Sequence, residues 1–160
     1  MENIFDAIQD GISVLDKDLN VIQINNTMVK WYAHAMPYKG KKCYEIYHGR
    51  TEPCEICPSI RALEEGSLQM DIVPLIESGQ SVGWLELYSF PLLDTKGNPS
   101  GIVEYVRNIT ERIEAEQALR ESEQRFRTVA DFTYDWESWI APDGTYKYVS
   151  PSCRRISGYS

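Results

Sequence analysis

The sequence lacks the hydrophobic segments that would place it in or across a membrane. None of its apolar runs approaches the roughly 20 residues that a spanning helix needs. The N-terminal Met-Glu-Asn-Ile-Phe-Asp has neither the basic region nor the apolar core of a signal peptide. We therefore expect a cytoplasmic chain with no direct membrane insertion.

The sequence also lacks a net positive charge and recognisable catalytic motifs. The net charge of −8 over 160 residues argues against nucleic-acid binding, which needs a basic surface to neutralise phosphates. The chain contains no Walker phosphate-binding loop and no protein-kinase signature. We therefore expect no nucleic-acid partner and no enzymatic domain in this chain. Its content of 42% hydrophobic and 25% charged residues is that of an ordinary globular protein.

Cysteine is scarce, but it is concentrated. Three of the four cysteines, Cys43, Cys54 and Cys57, follow a C-x10-C-x2-C spacing with His48 inside it, unlike the dispersed framework of a disulfide-rich secreted domain. A C-x2-C pair with a third cysteine and His48 has the donors of a tetrahedral metal site; iron–sulfur ligation is chemically possible as well. Haem attachment through C-x2-C-H is excluded, because Pro58 occupies the histidine position.

Two other interpretations of the cysteines stay open. Cys57 precedes a predicted helix N-terminus, where the macrodipole favours thiolate, so a reversible Cys54–Cys57 or Cys43–Cys57 disulfide is a second hypothesis. In the third, the cysteines pack as small apolar residues beneath short helices. Cys153 lies on a later predicted helix, where packing is its expected role.

The most ordered pattern is a pair of apolar, β-branched and aromatic runs at residues 82–93 and 102–109. Between them stands Asp-Thr-Lys-Gly-Asn-Pro-Ser-Gly, a cluster of turn residues at 94–101. This combination predicts an antiparallel hairpin. The second strand leads through Asn-Ile-Thr-Glu-Arg at 108–112 directly into a charged helical segment.

Upstream of the hairpin, the residue patterns predict a helix, two strands, several short helices and a third strand. Asn25 or Asn26 can cap the helix that follows the second strand. Pro58 suits the first turn of a helix that ends near Gly66. The predicted elements are a helix at 2–9, strands at 11–15 and 21–24, helices after 26, within 38–50 and at 58–65, and a strand at 70–76.

This order of elements and the 108–112 exit motif resemble the PAS domain, a bacterial sensory fold, and the cysteines resemble a cysteine-bearing subgroup of it. The resemblance implies an α+β domain at residues 1–109, with a five-stranded antiparallel sheet and short helices on one face. It assigns signal relay to Asn108, Thr110 and Arg112. Asn108 replaces the usual aspartate of the motif, so a salt bridge from that position is not available.

A signalling helix is predicted at residues 110–127, which contain no glycine or proline and carry Glu–Arg pairs at i,i+4. A 4-3 spacing along it predicts a seam for a partner helix. The resemblance implies a homodimer through the PAS domain and this helix. The seam consists of Ala115, Leu119, Ser122, Phe126 and Val129.

The pattern of the first thirty residues returns after an offset of 125. The shift aligns Leu15 with Ile140, for example, and Asn25 with Ser150. Self-similarity at a fixed offset indicates a repeated unit. Residues 128–160 are therefore interpreted as the truncated start of a second PAS domain, which we expect to be the least stable part of the chain.

The resemblance also implies a ligand pocket between the sheet and the short helices, although the same apolar positions can instead fill a closed core. A histidine on the helix after Pro58, expected for haem, is absent, as is the Asn-Cys-Arg-Phe-Leu-Gln run of flavin-binding light sensors. Haem and flavin are thus disfavoured, and a metal ion at the cysteines is the remaining cofactor hypothesis. The candidate pocket residues are Ile60, Met70, Ile72, Trp84, Leu85, Leu87, Val103 and Tyr105.

These expectations combine into a sensory input module that detects a small ligand, a metal or a redox state. The resemblance implies that its signal passes through the C-terminal helix to an output domain outside this chain, a histidine kinase of a two-component system or a diguanylate cyclase. Two alternatives remain: a thiol redox protein that uses Cys54 and Cys57, and a purely structural dimerisation module.

Overall fold

The computed structural model describes residues 2–77 and 79–158, which form two compact units, Met1–Glu111 and Arg112–Ser160. The first unit contains, in chain order, α1 (Glu2–Ala7), β1 (Gly11–Asp16), β2 (Val21–Ile24), α2 (Asn26–Trp31), a 3₁₀ turn (Ala33–Ala35), α3 (Cys43–His48), α4 (Pro58–Glu65), β3 (Gln69–Glu77), β4 (Gln80–Leu93) and β5 (Pro99–Asn108).

The five strands of the first unit form one antiparallel sheet in the order β2-β1-β5-β4-β3. The helices α2, α3 and α4 supply Met28, Ile46 and Ala62 to a core that also contains Leu15 of β1 and Ile102 of β5. The predicted α+β fold, a five-stranded antiparallel sheet with short helices, is confirmed.

Asn25 ties the N-terminal elements together, and the predicted cap of α2 is confirmed. Its Oδ1 accepts hydrogen bonds from the backbone N–H groups of Ile12 (3.0 Å) and Met28 (3.2 Å). Its Nδ2 donates to the carbonyl oxygens of Ile8 (3.3 Å) and Asp10 (2.9 Å). One fully buried amide therefore satisfies backbone groups from β1, α2 and the segment before β1.

The helix α5 (Thr110–Phe132) follows β5 and is five residues longer than predicted. In the second unit it leads to β6 (Ser138–Ile140), β7 (Tyr146–Val149) and α6 (Ser152–Ser157). The strands β6 and β7 pair with each other in a sheet of two strands. In the part of the chain that the structure describes, no helix has the length and apolar character to cross a bilayer.

The second unit repeats the local geometry of the first at an offset of 125 residues. Every Cα pairing between β6 and β7 corresponds to a pairing between β1 and β2, including the register shift after the second pair. Asn25 N–H donates to the Ile12 carbonyl oxygen (3.0 Å), and Ser150 N–H donates to that of Glu137 (2.8 Å). The reverse bonds, Ile12 N–H to Asn25 Oδ1 and Glu137 N–H to Ser150 Oγ, are both 3.0 Å long.

Candidate functional site

A cavity of about 470 Å³ lies within the first unit, between the short helices and the sheet. We call it the central cavity. Its volume falls in the range of small-molecule sites, roughly 300–1,000 Å³. The helices and the loops beside them contribute Met28, Tyr32, Cys43, Tyr47, His48, Arg50, Cys54, Glu55, Ile56, Cys57, Pro58 and Ser59, and the sheet side contributes Val73, Pro74, Ile76, Gly79, Leu85, Leu87, Glu104 and Val106.

Glu104 is a buried carboxyl group in the wall of this cavity, with 4% of its surface exposed. It lies on the central strand β5, directly between Ser13 of β1 and Ser89 of β4. Ser59, in the first turn of α4, donates a hydrogen bond of 2.6 Å to Glu104 Oε1 and lies 2.9 Å from the Ser89 hydroxyl. Burial raises the pKa of Glu104 to about 7, although the serine hydroxyls act in the opposite direction.

Two tyrosines form the aromatic wall of the cavity. The rings of Tyr32 and Tyr47 lie 4.7 Å apart between centroids and are tilted by 49°. The Tyr47 hydroxyl lies 2.7 Å from the Ser13 hydroxyl, which fixes the ring against β1. Burial raises the pKa of both phenols, so both stay neutral at physiological pH.

The clustered cysteines all line the central cavity, and each is a free thiol. The pKa of each of these thiols is raised, mainly because the side chains of Cys43, Cys54 and Cys57 are partly or fully removed from water. Cys57 stands immediately before α4. The N–H groups of Ile60 and Ser59 favour its thiolate, but desolvation is the larger effect, and the net result is a raised pKa. The thiolate expected at Cys57 is therefore corrected to a protonated thiol.

The described residues contain no group of three or more His, Cys, Asp or Glu side chains placed to hold a metal ion. His48 lines the same cavity as the three cysteines, and burial lowers its pKa. The structure thus brings the four predicted ligands to one cavity without assembling them into a metal site.

The predicted pocket residues are divided between the two faces of the sheet. Leu85 and Leu87 line the central cavity, and Ile60 packs against the core. Strand alternation places the other five away from the cavity lining. Met70, Ile72 and Trp84 are 47%, 50% and 42% exposed. Leu85 and Leu87 stay in the predicted pocket, which is corrected by the removal of Ile60, Met70, Ile72, Trp84, Val103 and Tyr105.

Sequence reasoning missed the polar side of the cavity, above all Glu104, Ser59 and Tyr47. A signal for Glu104 exists in the sequence, because it stands two residues from both Ile102 and Val106. Those neighbours share its face of β5 and are buried, so an acid at this position points into the core.

The predicted relay residues lie where the sheet meets α5. Asn108 Oδ1 accepts a hydrogen bond of 3.0 Å from Thr110 N–H, two residues along the chain, which is the bond of an Asx turn. Thr110 Oγ1 accepts a hydrogen bond of 3.0 Å from the backbone N–H of Trp84 on β4. Arg112 lies in the first turn of α5. Two of the three residues thus connect α5 to the strands that line the cavity.

Comparison with known proteins identifies one family. The family model described as the PAS fold matches residues 5–114 of this chain. A PAS domain from Colwellia psychrerythraea is similar, with a TM-score of 0.56 at 22% identity over 68% of this chain and 93% of that one. The PAS domain of nitrogen regulation protein NR(II) from Vibrio parahaemolyticus has a TM-score of 0.54 at 14% identity, covering 68% and 96%. No curated protein matches the sequence.

A light-oxygen-voltage domain studied with a flavin analogue is also similar, with a TM-score of 0.55 at 16% identity over 77% of this chain and 93% of that one. The fold is therefore shared with a flavin-related domain, and it gives no argument against flavin. The expectation against haem and flavin rests on the sequence alone and stays a prediction.

Proposed function

The chain belongs to the PAS-fold family, and from that membership we propose that it is a sensory input module of a larger signalling protein. PAS domains are sensory modules of signalling proteins. In our proposal the module takes a small ligand into the central cavity and acts through α5 on an output domain outside this chain. Its role is regulatory rather than catalytic, and its cytoplasmic location remains a prediction from the sequence.

One observation carries this proposal: the strands that line the cavity are the strands bonded to the start of α5. The strand β5 contributes Glu104 and Val106 to the cavity and ends at Asn108, two residues before Thr110. The strand β4 contributes Leu85 and Leu87, and its Trp84 donates to Thr110. A ligand that favours one arrangement of β4 and β5 therefore biases the arrangement of the α5 N-terminus, provided its affinity for the two states differs.

The test pairs two neighbouring residues of β3. Val73 lines the cavity, whereas Ile72 is exposed on the other face. In Val73→Phe the larger ring occupies cavity space, and Ile72→Phe is the matched control. We expect metabolites from a small-molecule library to raise the melting temperature of wild type and Ile72→Phe, but not of Val73→Phe, because binding to the folded state stabilises it.

The same ligands should change hydrogen exchange at residues 108–115 in the full chain. A ligand that protects the cavity strands and leaves these amides unchanged contradicts the relay. A library in which no compound distinguishes Val73→Phe from Ile72→Phe contradicts ligand binding in the cavity, and the structural dimerisation module then becomes the better reading.

We also propose that the module is a homodimer paired partly through α5. All five seam residues of that helix are exposed in the single chain, and Leu119 and Phe126 are large apolar side chains. Sedimentation equilibrium should give a dimer that Phe126→Glu weakens and that Gln117→Glu, elsewhere on the helix, does not. Equal effects of the two substitutions on dimerisation would show that the seam is not part of the dimer interface.

Residues 128–160, in our proposal, are the beginning of a second PAS domain. The support is the repeat of strand register and backbone hydrogen bonds at an offset of 125. The output domain implied by the family resemblance is a histidine kinase or a diguanylate cyclase. Joining such a domain to the end of this chain and measuring its activity with and without a cavity ligand tests the relay to an output domain.

A further inference from the structure

Glu104 is a buried acid without a basic partner. The two ion pairs in the described part of the chain are Arg61–Asp71 and Arg107–Asp10. The groups that donate to Glu104 are neutral serine hydroxyls, those of Ser59 and Ser13. A carboxylate taken out of water without a cation is strongly unfavourable. Burial without a counter-charge therefore favours the neutral form of this group and raises its pKa to about 7.

None of the titratable groups that face Glu104 supplies a positive charge. They are neutral phenols and thiols with raised pKa values, and they come from α2, α3 and the segment before α4: Tyr32, Cys43, Tyr47, Cys54 and Cys57. The strands add Ser13 and Ser89. Farther along the lining, Arg50 and Glu55 are exposed, and burial lowers the pKa of His48 and so favours its neutral form.

The aromatic wall suits a cation. Tyr32 and Tyr47 line the same cavity as Glu104, and aromatic faces attract ammonium groups most strongly where water is excluded. The rest of the sheet side is apolar, with Val73, Leu85 and Val106. The cavity thus combines a buried acid, two tyrosine rings and an apolar surface.

We propose that the central cavity binds a small organic cation, an amine with an apolar body, whose ammonium group lies against the Glu104 carboxyl. This inference rests on the proposed function and names the ligand class of the same site. The amine supplies the missing counter-charge, so its binding stabilises the carboxylate. Binding at or below neutral pH is therefore coupled to release of the Glu104 proton to solvent.

The experiment is titration calorimetry on the full chain with a charge series of constant length: hexylamine, 1-hexanol and hexanoate. We expect the amine to bind most tightly and hexanoate least. In two buffers of different ionisation enthalpy, amine binding should release about one proton at pH 6 and progressively less toward pH 8.5. The affinity for the amine should rise over that range, while the affinity for 1-hexanol stays constant.

The matched variant is Glu104→Gln, which keeps the shape of the side chain and cannot ionise. Loss of one partner of a buried charged pair predicts roughly 30-fold weaker amine binding or more, with 1-hexanol unaffected. Should the variant not fold, the pH dependence and proton release of the wild type still decide the question.

The outcomes separate this inference from the proposed function. Amine preference with proton release supports both. Binding of 1-hexanol as tight as that of the amine, or amine binding without proton release, overturns the cation while leaving a ligand-binding module. Binding of none of the three probes overturns the cation and counts against the cavity as a sensor site.

Discussion

The hydroxyl oxygen of Thr110 lies 3.0 Å from the backbone nitrogen of Trp84, whose N–H donates to it. The carbonyl oxygen of Trp84 in turn accepts a hydrogen bond of 2.9 Å from Ile109 N–H. Both backbone groups of one β4 residue are thus bonded to the last residue before α5 and to its first residue. This pair of bonds is a joint between the sheet and the helix.

Thr110→Val should weaken that joint. Valine keeps the branched shape of the side chain but cannot accept the Trp84 N–H, so we expect a loss of about 1 kcal/mol in the free energy of unfolding. Thr110→Ser retains the hydroxyl and is the matched control. Urea unfolding of the two variants measures the difference in stability. Equal stability of Thr110→Val and wild type would show that the hydrogen bond to Trp84 makes no net contribution to the free energy of unfolding.

Gly83 leaves the space that Thr110 occupies. A Cβ atom at position 83 would lie 2.2 Å from Thr110 Oγ1, so Gly83→Ala should cost about 1–3 kcal/mol through overpacking. Adding Thr110→Ala removes Oγ1 and leaves Cβ at 3.2 Å. The double variant should therefore lose less stability than the sum of the losses in the two single variants. Additive losses would show that the cost of Gly83→Ala does not come from a clash with Thr110.

Most of the fold could be predicted because its boundaries are set by local residues. Asn25 has the side chain that caps α2, Pro58 and Gly66 bound α4, and the turn cluster after Leu93 separates β4 from β5. These signals act within a few residues and need no knowledge of the tertiary structure. The end of α5 lay beyond the prediction because no glycine or proline precedes Phe132.

The candidate site could be predicted only in part, because the pairing of distant strands decides which side chains point into the cavity. The apolar runs of β4 and β5 do not indicate which face is inward, so the sequence predicts Trp84 and Tyr105 in the same pocket as Leu85. The polar row through Ser13, Glu104 and Ser89 exists only after β1, β5 and β4 align in register. No local pattern joins residues so far apart in sequence.

Asn25→Ala should be among the most damaging substitutions in the first unit. It removes a helix cap and leaves buried backbone groups of β1 and of the segment before it without partners, so we expect a loss of about 2–4 kcal/mol. The neighbouring Asn26→Ala is the control, since the Asn26 side chain is exposed. Comparable losses at the two positions in thermal unfolding would contradict this role.

The second unit should exchange its amide hydrogens faster than the first. The strands β6 and β7 form a two-stranded sheet whose Trp139, Ile140 and Tyr146 are exposed, and such hairpins are marginal without a covering layer. Native-state hydrogen exchange should show weaker protection at 138–149 than in β1 and β5. Equal protection would mean that the unit is closed by contacts of its own.

Glu104 should make the stability of the first unit fall as the pH rises. Its pKa is about 7 in the folded state against an ordinary value of 4.5, so the folded protein holds the proton over a range in which the unfolded chain has lost it. The stabilisation by this group is fully present below about pH 4.5 and is lost as the pH rises through 7. The difference corresponds to about 3 kcal/mol.

The measurement is the difference in unfolding free energy between wild type and Glu104→Gln, followed from pH 5 to pH 8.5. His48 acts in the opposite direction, because its lowered pKa disfavours the folded state as the pH falls through 6.5. Subtracting the two curves cancels that contribution and all others common to both proteins. The variant should gain on wild type as the pH rises from 5 to about 7 and then level off, since glutamine never carries the uncompensated charge. Parallel curves would show that Glu104 is already ionised at low pH and has a counter-charge in solution.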